Sequence, residues 1–350
     1  MVPLVALELD SSPASRLRPD ILYQYQCGDP KQGMISGPKR YPSRIAVVRD
    51  LGLTYNTTST IEHLTSNHLD LVLLIGGVSY ADLYLMNGTR SDCYYCYFPQ
   101  TPIHESYQPC WDYWGRYIQP LTSSVPIMVV EGNHEREEQI KHQTFVAYNS
   151  RFAFPSKETK SSFALYYSFN AGGVHFIMLT HQYKWLEKDL AKVNRKVTPW
   201  LVATWHPPWY NTYKAHYRED ILYKYKVDIV FNGHVHAYET SNRVYNYTLD
   251  PCGLRMAITH ADEPRNYPKV PKRKANCAFN FTSGPAIGNF CLDWQLEYSA
   301  YRESSFGHGI LEVRNETRAL WTWHWNKDSY KFAGDLIYIV RQPDKCLIKF

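Results

Sequence analysis

Five short stretches place metal- and phosphate-compatible side chains at the ends of apolar runs. Asp50 closes Arg44–Asp50 (RIAVVRD), and Gly76-Gly77-Val78-Ser79-Tyr80 ends the run begun at Leu69. Gly132-Asn133-His134-Glu135, His206-Pro207-Pro208 and Asn232-Gly233-His234-Val235-His236 follow three more. In α/β sheets, ligands bind beyond the carboxyl ends of the strands. Carboxylate, phenol, amide oxygen and imidazole together suit iron, zinc or manganese better than calcium. Each stretch alone also has a bland reading. His234 and His236 can be surface residues, Asn133 a helix cap, and His206 a loop residue before two prolines. Their succession after buried runs favours a metal centre.

The elements that must hold these residues are legible in outline. Leu69–Gly77, Val125–Glu131, Trp200–Trp205 and Val227–Phe231 are near-continuous apolar runs, the pattern of strands buried on both faces. Tyr166–Leu179 reads as a hairpin turning at Asn170–Gly173, and Gly309–Trp325 alternates like antiparallel strands. Asn56–Asn67 and Gln182–Val193 read as helices. Strands alternating with helices predict an α/β core. Residues 1–43 are irregular, with one strand-like piece at Ile21–Cys27.

Composition narrows the function classes. A 350-residue chain with 44% hydrophobic residues buries a large core, and ~150 residues per domain suggests about two domains. No run reaches the ~18 apolar residues of a membrane helix. The net charge of +5 is scattered apart from Lys269–Lys274, which argues against nucleic acid as partner. Eight cysteines and sequons at Asn56, Asn87, Asn246, Asn280 and Asn315 point to an oxidising compartment with glycosylation. The opening MVPLVALELDSSP has no basic segment and carries Glu8 and Asp10, unlike a signal peptide. Cys93 and Cys96, in a Tyr-rich loop, read as a structural disulfide rather than a redox or zinc pair.

The stretches RDLGLTYNTTST, GGVSYADLYLMNGT, VVEGNHE, ATWHPPWYNTYKAHYRE and FNGHVHAYE, with residues 304–341, resemble plant purple acid phosphatases of the metallophosphoesterase superfamily, closest to the phytase-like members. The resemblance covers roughly residues 18–345. It implies an α/β fold in which a β-sandwich is flanked by helices, after a fibronectin-like β domain. Here residues 1–43 would be the remnant of that domain and linker, and 44–350 the catalytic domain. It implies Fe(III) beside Zn, Mn or Fe(II), with Asp50, Tyr80 and His236 as iron ligands and Asn133, His206 and His234 as ligands of the divalent ion. His134 and His216 would be catalytic, holding phosphate with Asn133 and protonating the leaving group. The implied reaction is hydrolysis of phosphate monoesters, phytate among them, by a metal-activated hydroxide. The implied location is secreted, vacuolar or cell-wall. The resemblance leaves a homodimer open, with Cys252 either in an inter-subunit disulfide or in a local bridge.

Two positions depart from the family pattern. Gly77 stands where the family carries the Asp that bridges both metals, and Asp82 occupies a position that is not a ligand. Arg49 replaces the usual Gly before Asp50, so a guanidinium competes with iron for that carboxylate. Segments after Leu179, Tyr217 and Cys252 are shorter than in the family, as in a truncated or exon-skipped form. Two readings follow: a phosphatase with impaired activity, or an inactive glycosylated paralogue or aberrant gene-model product acting at most by binding. Restoring Asp at position 77 is expected to raise metal content.

Overall fold

The structure is a computed structural model describing residues 24–25, 35–36, 41, 43–84, 107–137, 143–155, 159–161, 165–180, 182–207, 220–234, 236–258, 296–303, 305–327 and 333–341. A short ribbon, β1 (Gln24–Tyr25) and β2 (Ile35–Ser36), comes first. It is all that is described of the strand-like piece at Ile21–Cys27. Next come β3 (Ser43–Val48), β4 (Leu71–Ile75), β5 (Ile127–Val130), β6 (Tyr167–Ala171), β7 (Val174–Met178), β8 (Trp200–Trp205) and β9 (Ile229–Asn232). They are followed by β10 (Tyr238–Ser241), a small hairpin of β11 (Val244–Tyr245) and β12 (Thr248–Leu249), β13 (Arg255–Ile258) and β14 (Ser299–Glu303). The last three strands are β15 (Gly307–Val313), β16 (Arg318–Trp325) and β17 (Ala333–Val340).

Two mixed sheets result, ordered β17-β16-β15-β3-β4-β5 and β14-β10-β13-β9-β8-β7-β6. Parallel strands lie inside both: β3, β4 and β5 in the first, and β7, β8, β9 and β13 in the second. The alternation along β8 shows why the chain is layered. Trp200 and Val202 belong to the large core between the sheets, while Leu201, Ala203 and Trp205 belong to a second cluster with Leu186, Leu190 and Leu222. Those last three lie on α4 (Tyr183–Leu190) and α5 (Asp220–Lys224), which therefore cover the outer face of the second sheet. On the first sheet that place is taken by α1 (Tyr55–Ser66) and α2 (Gln108–Thr122), with α3 (Val146–Arg151) beside them.

α1 starts one residue before the stretch read as a helix, behind the hydroxyl cap Thr54. Thr54 accepts from the Asn56 N–H, and Thr57 closes the reciprocal capping box. α2 was not legible: Pro109, Gly115 and Pro120 mask it, yet Cys110, Trp111, Trp114, Ile118 and Leu121 bury one helical face.

The sheets lock through aromatics of β16. Trp323 stacks on Tyr238 at 4.3 Å, and Trp321 meets Phe231 at 4.9 Å. Trp321 Nε1 donates to the Tyr238 hydroxyl (2.9 Å), which donates to Asp335 (2.8 Å) on β17. Trp321→Ala should therefore cost about 3–5 kcal/mol, the usual loss for emptying a buried Trp site. Denaturant titration checks this, and a loss below ~1 kcal/mol would remove Trp321 as the lock between the sheets.

Candidate metal centre

β3, β4, β5, β8 and β9 bring their carboxyl ends to one place, and each delivers one or two of the expected donors. Asp50 leaves β3 with φ 47°, Tyr80 ends the loop after β4 with φ 58°, and His234 follows β9 with φ 70°. Gly76 and Gly77 between them also have positive φ, at 62° and 61°. Left-handed backbone at non-glycine residues costs of order 1–3 kcal/mol each and needs a surrounding structure that enforces it. Part of that structure is Glu135, fully buried, which accepts from the backbone N–H groups of Gly77 (2.9 Å), Val78 (2.7 Å) and Gly132 (2.7 Å). One carboxylate thus ties the loop after β4 to the loop after β5. Burial pushes its pKa up to about 7 despite these donors.

Asp50 lies at the centre of the cluster. Its Oδ1 accepts from the Tyr80 hydroxyl at 2.9 Å and stands 3.8 Å from Nε2 of both His206 and His236. Its Oδ2 accepts from Arg49 Nη1 (2.8 Å) and from the His234 N–H (3.1 Å). Burial alone would raise the pKa of this carboxyl, but His206, His236, Arg49 and His234 together hold it well below the carboxylate range. Arg49, itself fully buried, also donates to Ala237 O at 2.9 Å. The competition read from the sequence is thus a direct contact.

Asn133 Oδ1 is 2.9 Å from His206 Nε2 and 3.0 Å from His234 Nδ1. His206 is neutral at ordinary pH, because burial lowers its pKa to about 4. Its Nδ1 faces Ile75 O at 3.1 Å, so the single ring proton belongs there. Nε2 then directs a lone pair at another acceptor, an arrangement that a cation between them would resolve. The donor set therefore fits a metal. Among the described residues no group of three or more His, Cys, Asp or Glu is by itself arranged to hold an ion. Tyr80 and Asn133 are needed to complete the two sets.

His134 Nδ1 sits 2.9 Å from both oxygens of Asp82, and its ring packs 4.0 Å from that of Tyr80. Asp82 is thus an orienting partner that sequence reasoning set aside because it is not a ligand. Its place two residues after Tyr80 carries no motif; only the fold brings it to His134. His216, Asn87, Asn280, Cys93 and Cys96 lie outside the described residues. Asn246 and Asn315 are exposed, whereas Asn56 is only 6% exposed in the first turn of α1, which leaves no room for a glycan. Cys252 is disulfide-bonded within the chain, which is the local alternative for that residue.

Two family models match the chain: calcineurin-like phosphoesterase over residues 36–238, and iron/zinc purple acid phosphatase-like protein C over residues 283–332. The chain is 58% identical to purple acid phosphatase 15 of Arabidopsis thaliana, over 94% of this chain and 70% of that protein. It belongs to the purple acid phosphatase family. It is also 51% identical to purple acid phosphatase 13 of the same plant, over 95% of this chain and 71% of that one. Among solved structures, purple acid phosphatase PPD1 from yellow lupin seeds superposes with a TM-score of 0.65 at 21% identity, covering 89% of this chain and 56% of that one, which shows the fold. Metal-dependent hydrolysis of phosphate monoesters at a dinuclear centre containing iron is the chemistry of purple acid phosphatases.

Glu137 closes the turn after His134 and accepts from Trp111 Nε1 at 2.8 Å. Burial pushes its pKa up to about 7, the Trp111 bond and Arg151 oppose the rise, and Asp82 and Glu135 add to it. Between pH 4.5 and 7 the folded state therefore keeps a proton that the unfolded state releases, and stability falls as pH rises through this window. The contribution is on the order of 3 kcal/mol. Thermal melts from pH 4.5 to 8 should show a shallower decline in Glu137→Gln than in the parent; identical slopes would remove Glu137 as a source.

Proposed function

We propose that this chain is a phosphate monoesterase with an impaired centre, holding one ion more tightly than the other. Asp50, Tyr80 and His236 would hold the iron, and Asn133, His206 and His234 the divalent ion, zinc, manganese or iron(II). When bound, the ions supply Lewis-acid polarisation of phosphoryl oxygens and activation of water. His134, oriented through Nδ1 by Asp82, keeps Nε2 for the substrate phosphate or the leaving oxygen. His216 is proposed as its partner, and inositol phosphates as the substrate class. Family resemblance supports both proposals.

The observation that carries the impairment is the placement of Asp50. A Cβ added at Gly77 would lie 2.4 Å from Asp50 Oδ1 and 2.7 Å from Asp50 Cα. The Asp50 carboxylate has thus taken the space of the bridging side chain that the family carries. It stands between both donor sets while Arg49 holds its other oxygen. One carboxylate then does the work of two, beside a fixed positive charge that opposes a second cation. The same observation favours a second reading, a family member that binds metal or phosphate without turnover. The disulfide at Cys252 and the exposed sequons at Asn246 and Asn315 support passage through the secretory route.

The geometry changes the expectation for position 77. With φ +61° and the Asp50 backbone in the way, Gly77→Asp alone should give no gain. Arg49→Gly frees Asp50 Oδ2, loosens the backbone before Asp50 so that it can shift from position 77, and should raise metal content; the double variant should then raise both metal content and p-nitrophenyl phosphate turnover, about tenfold or more. Elemental analysis and kinetics on the four proteins test this. Two tightly held ions with high turnover in the unmodified chain would overturn the impairment.

A further inference from the structure

A pocket of about 290 Å3 lies at the opposite end of the second sheet from these donors, lined by Arg243, Pro251, Arg255, Tyr338, Ile339 and Val340. Its position follows from register. Arg255 pairs with Ile229, the first residue of β9, whereas His234 and His236 follow the last.

Charge is concentrated there. Arg243 is fixed by donating to Gly253 O (2.9 Å) and Val340 O (3.0 Å). The Arg255 side chain has no hydrogen-bond or ion-pair partner among the described residues. Behind them, Arg195 donates from Nη2 to Asp228 at 2.8 Å, while its buried Nη1 has no partner. Arg341 Nη1 donates to Pro199 O at 3.0 Å. Among the described residues, the acids that feel these guanidiniums are Asp228 and Asp335. Among the described residues, four arginines therefore face two carboxylates in a partly buried region. Burial, then Arg243, lowers the pKa of Arg255, as expected where like charges lack a counter-ion.

We propose that this pocket binds a small multiply charged oxyanion of the phosphate class, at a site separate from the metal centre. The fork of Arg255, without a partner among the described residues, matches two oxygens of such an ion, and Arg243 supplies a second, preset charge. The volume lies at the lower end for ligand sites, which suits phosphate or a compact phosphate ester. Tyr338, 65% exposed, forms the mouth, with the Arg314 guanidinium 5.7 Å from its ring centre.

The test is equilibrium dialysis with radiolabelled inorganic phosphate at low ionic strength, on the full chain and on Arg255→Gln, Arg255→Lys and His206→Ala. Two separable classes of site are expected. Arg255→Gln should weaken one by about tenfold or more, the effect of losing a charge-assisted bidentate contact, with metal content unchanged. Arg255→Lys should retain part of the affinity, and His206→Ala should alter only the other class. Sulfate should compete at the Arg255 site, whereas chloride at equal ionic strength should not. Phosphate binding unchanged in Arg255→Gln, or abolished equally by chloride, would overturn the proposal. If Arg255→Gln does not fold, Tyr338→Glu places a carboxylate at the exposed mouth; loss of that site supports the proposal and unchanged binding overturns it.

Discussion

The Asp50 carboxylate is the interaction on which the rest depends. It is 1% exposed, and a buried anion of that kind persists only with compensating charge and hydrogen bonds. Here they come from several sides: Arg49 from the adjacent residue, Tyr80 from the loop after β4, and the His234 backbone and His236 from the loop after β9. Both sheets therefore converge on one acid. Removing it would take from the buried Arg49 its carboxylate partner at 2.8 Å, and breaking a buried pair typically costs several kcal/mol.

The same crowding explains the backbone around it. Left-handed conformations at Asp50, Tyr80 and His234 turn their side chains or N–H groups inward. Hydrogen bonds outside the donor set hold the loops there, among them Asp50 N to Gly76 O at 2.9 Å and the three bonds to Glu135. A side chain at Gly77 is excluded by the conformation that lets Asp50 occupy the centre. The two departures in sequence, Arg49 and Gly77, thus act together: one charges the space beside Asp50 and the other leaves room for it.

Much of this was legible from the chain alone, for identifiable reasons. Buried parallel strands write themselves as apolar runs, so Trp200–Trp205 and the ends bearing Asp50, Asn133, His206 and His234 could be read directly. The hairpin around Gly172-Gly173 announced itself through its turn residues. What escaped depends on three-dimensional neighbours. α2 hides behind its prolines, β10 and β13 are four residues each with no strong period, and Asp82 acquires its role only when the loop after β4 meets His134. The crowding at position 77 was likewise invisible, because spacing says that a side chain is missing there and not how near Asp50 stands to it. The arginine pocket gathers residues from β13, β17 and the chain between β10 and β11, and has no linear signature at all.

The most direct test of the centre is anomalous diffraction at the iron and zinc absorption edges from crystals of the chain loaded with both metals. One strong iron peak among Asp50, Tyr80 and His236, with a weaker or absent second peak beside Asn133, His206 and His234, is the expected result. Two peaks of full and equal occupancy about 3.5–4 Å apart, the usual spacing in two-metal sites, with Asp50 withdrawn from between them, would contradict it.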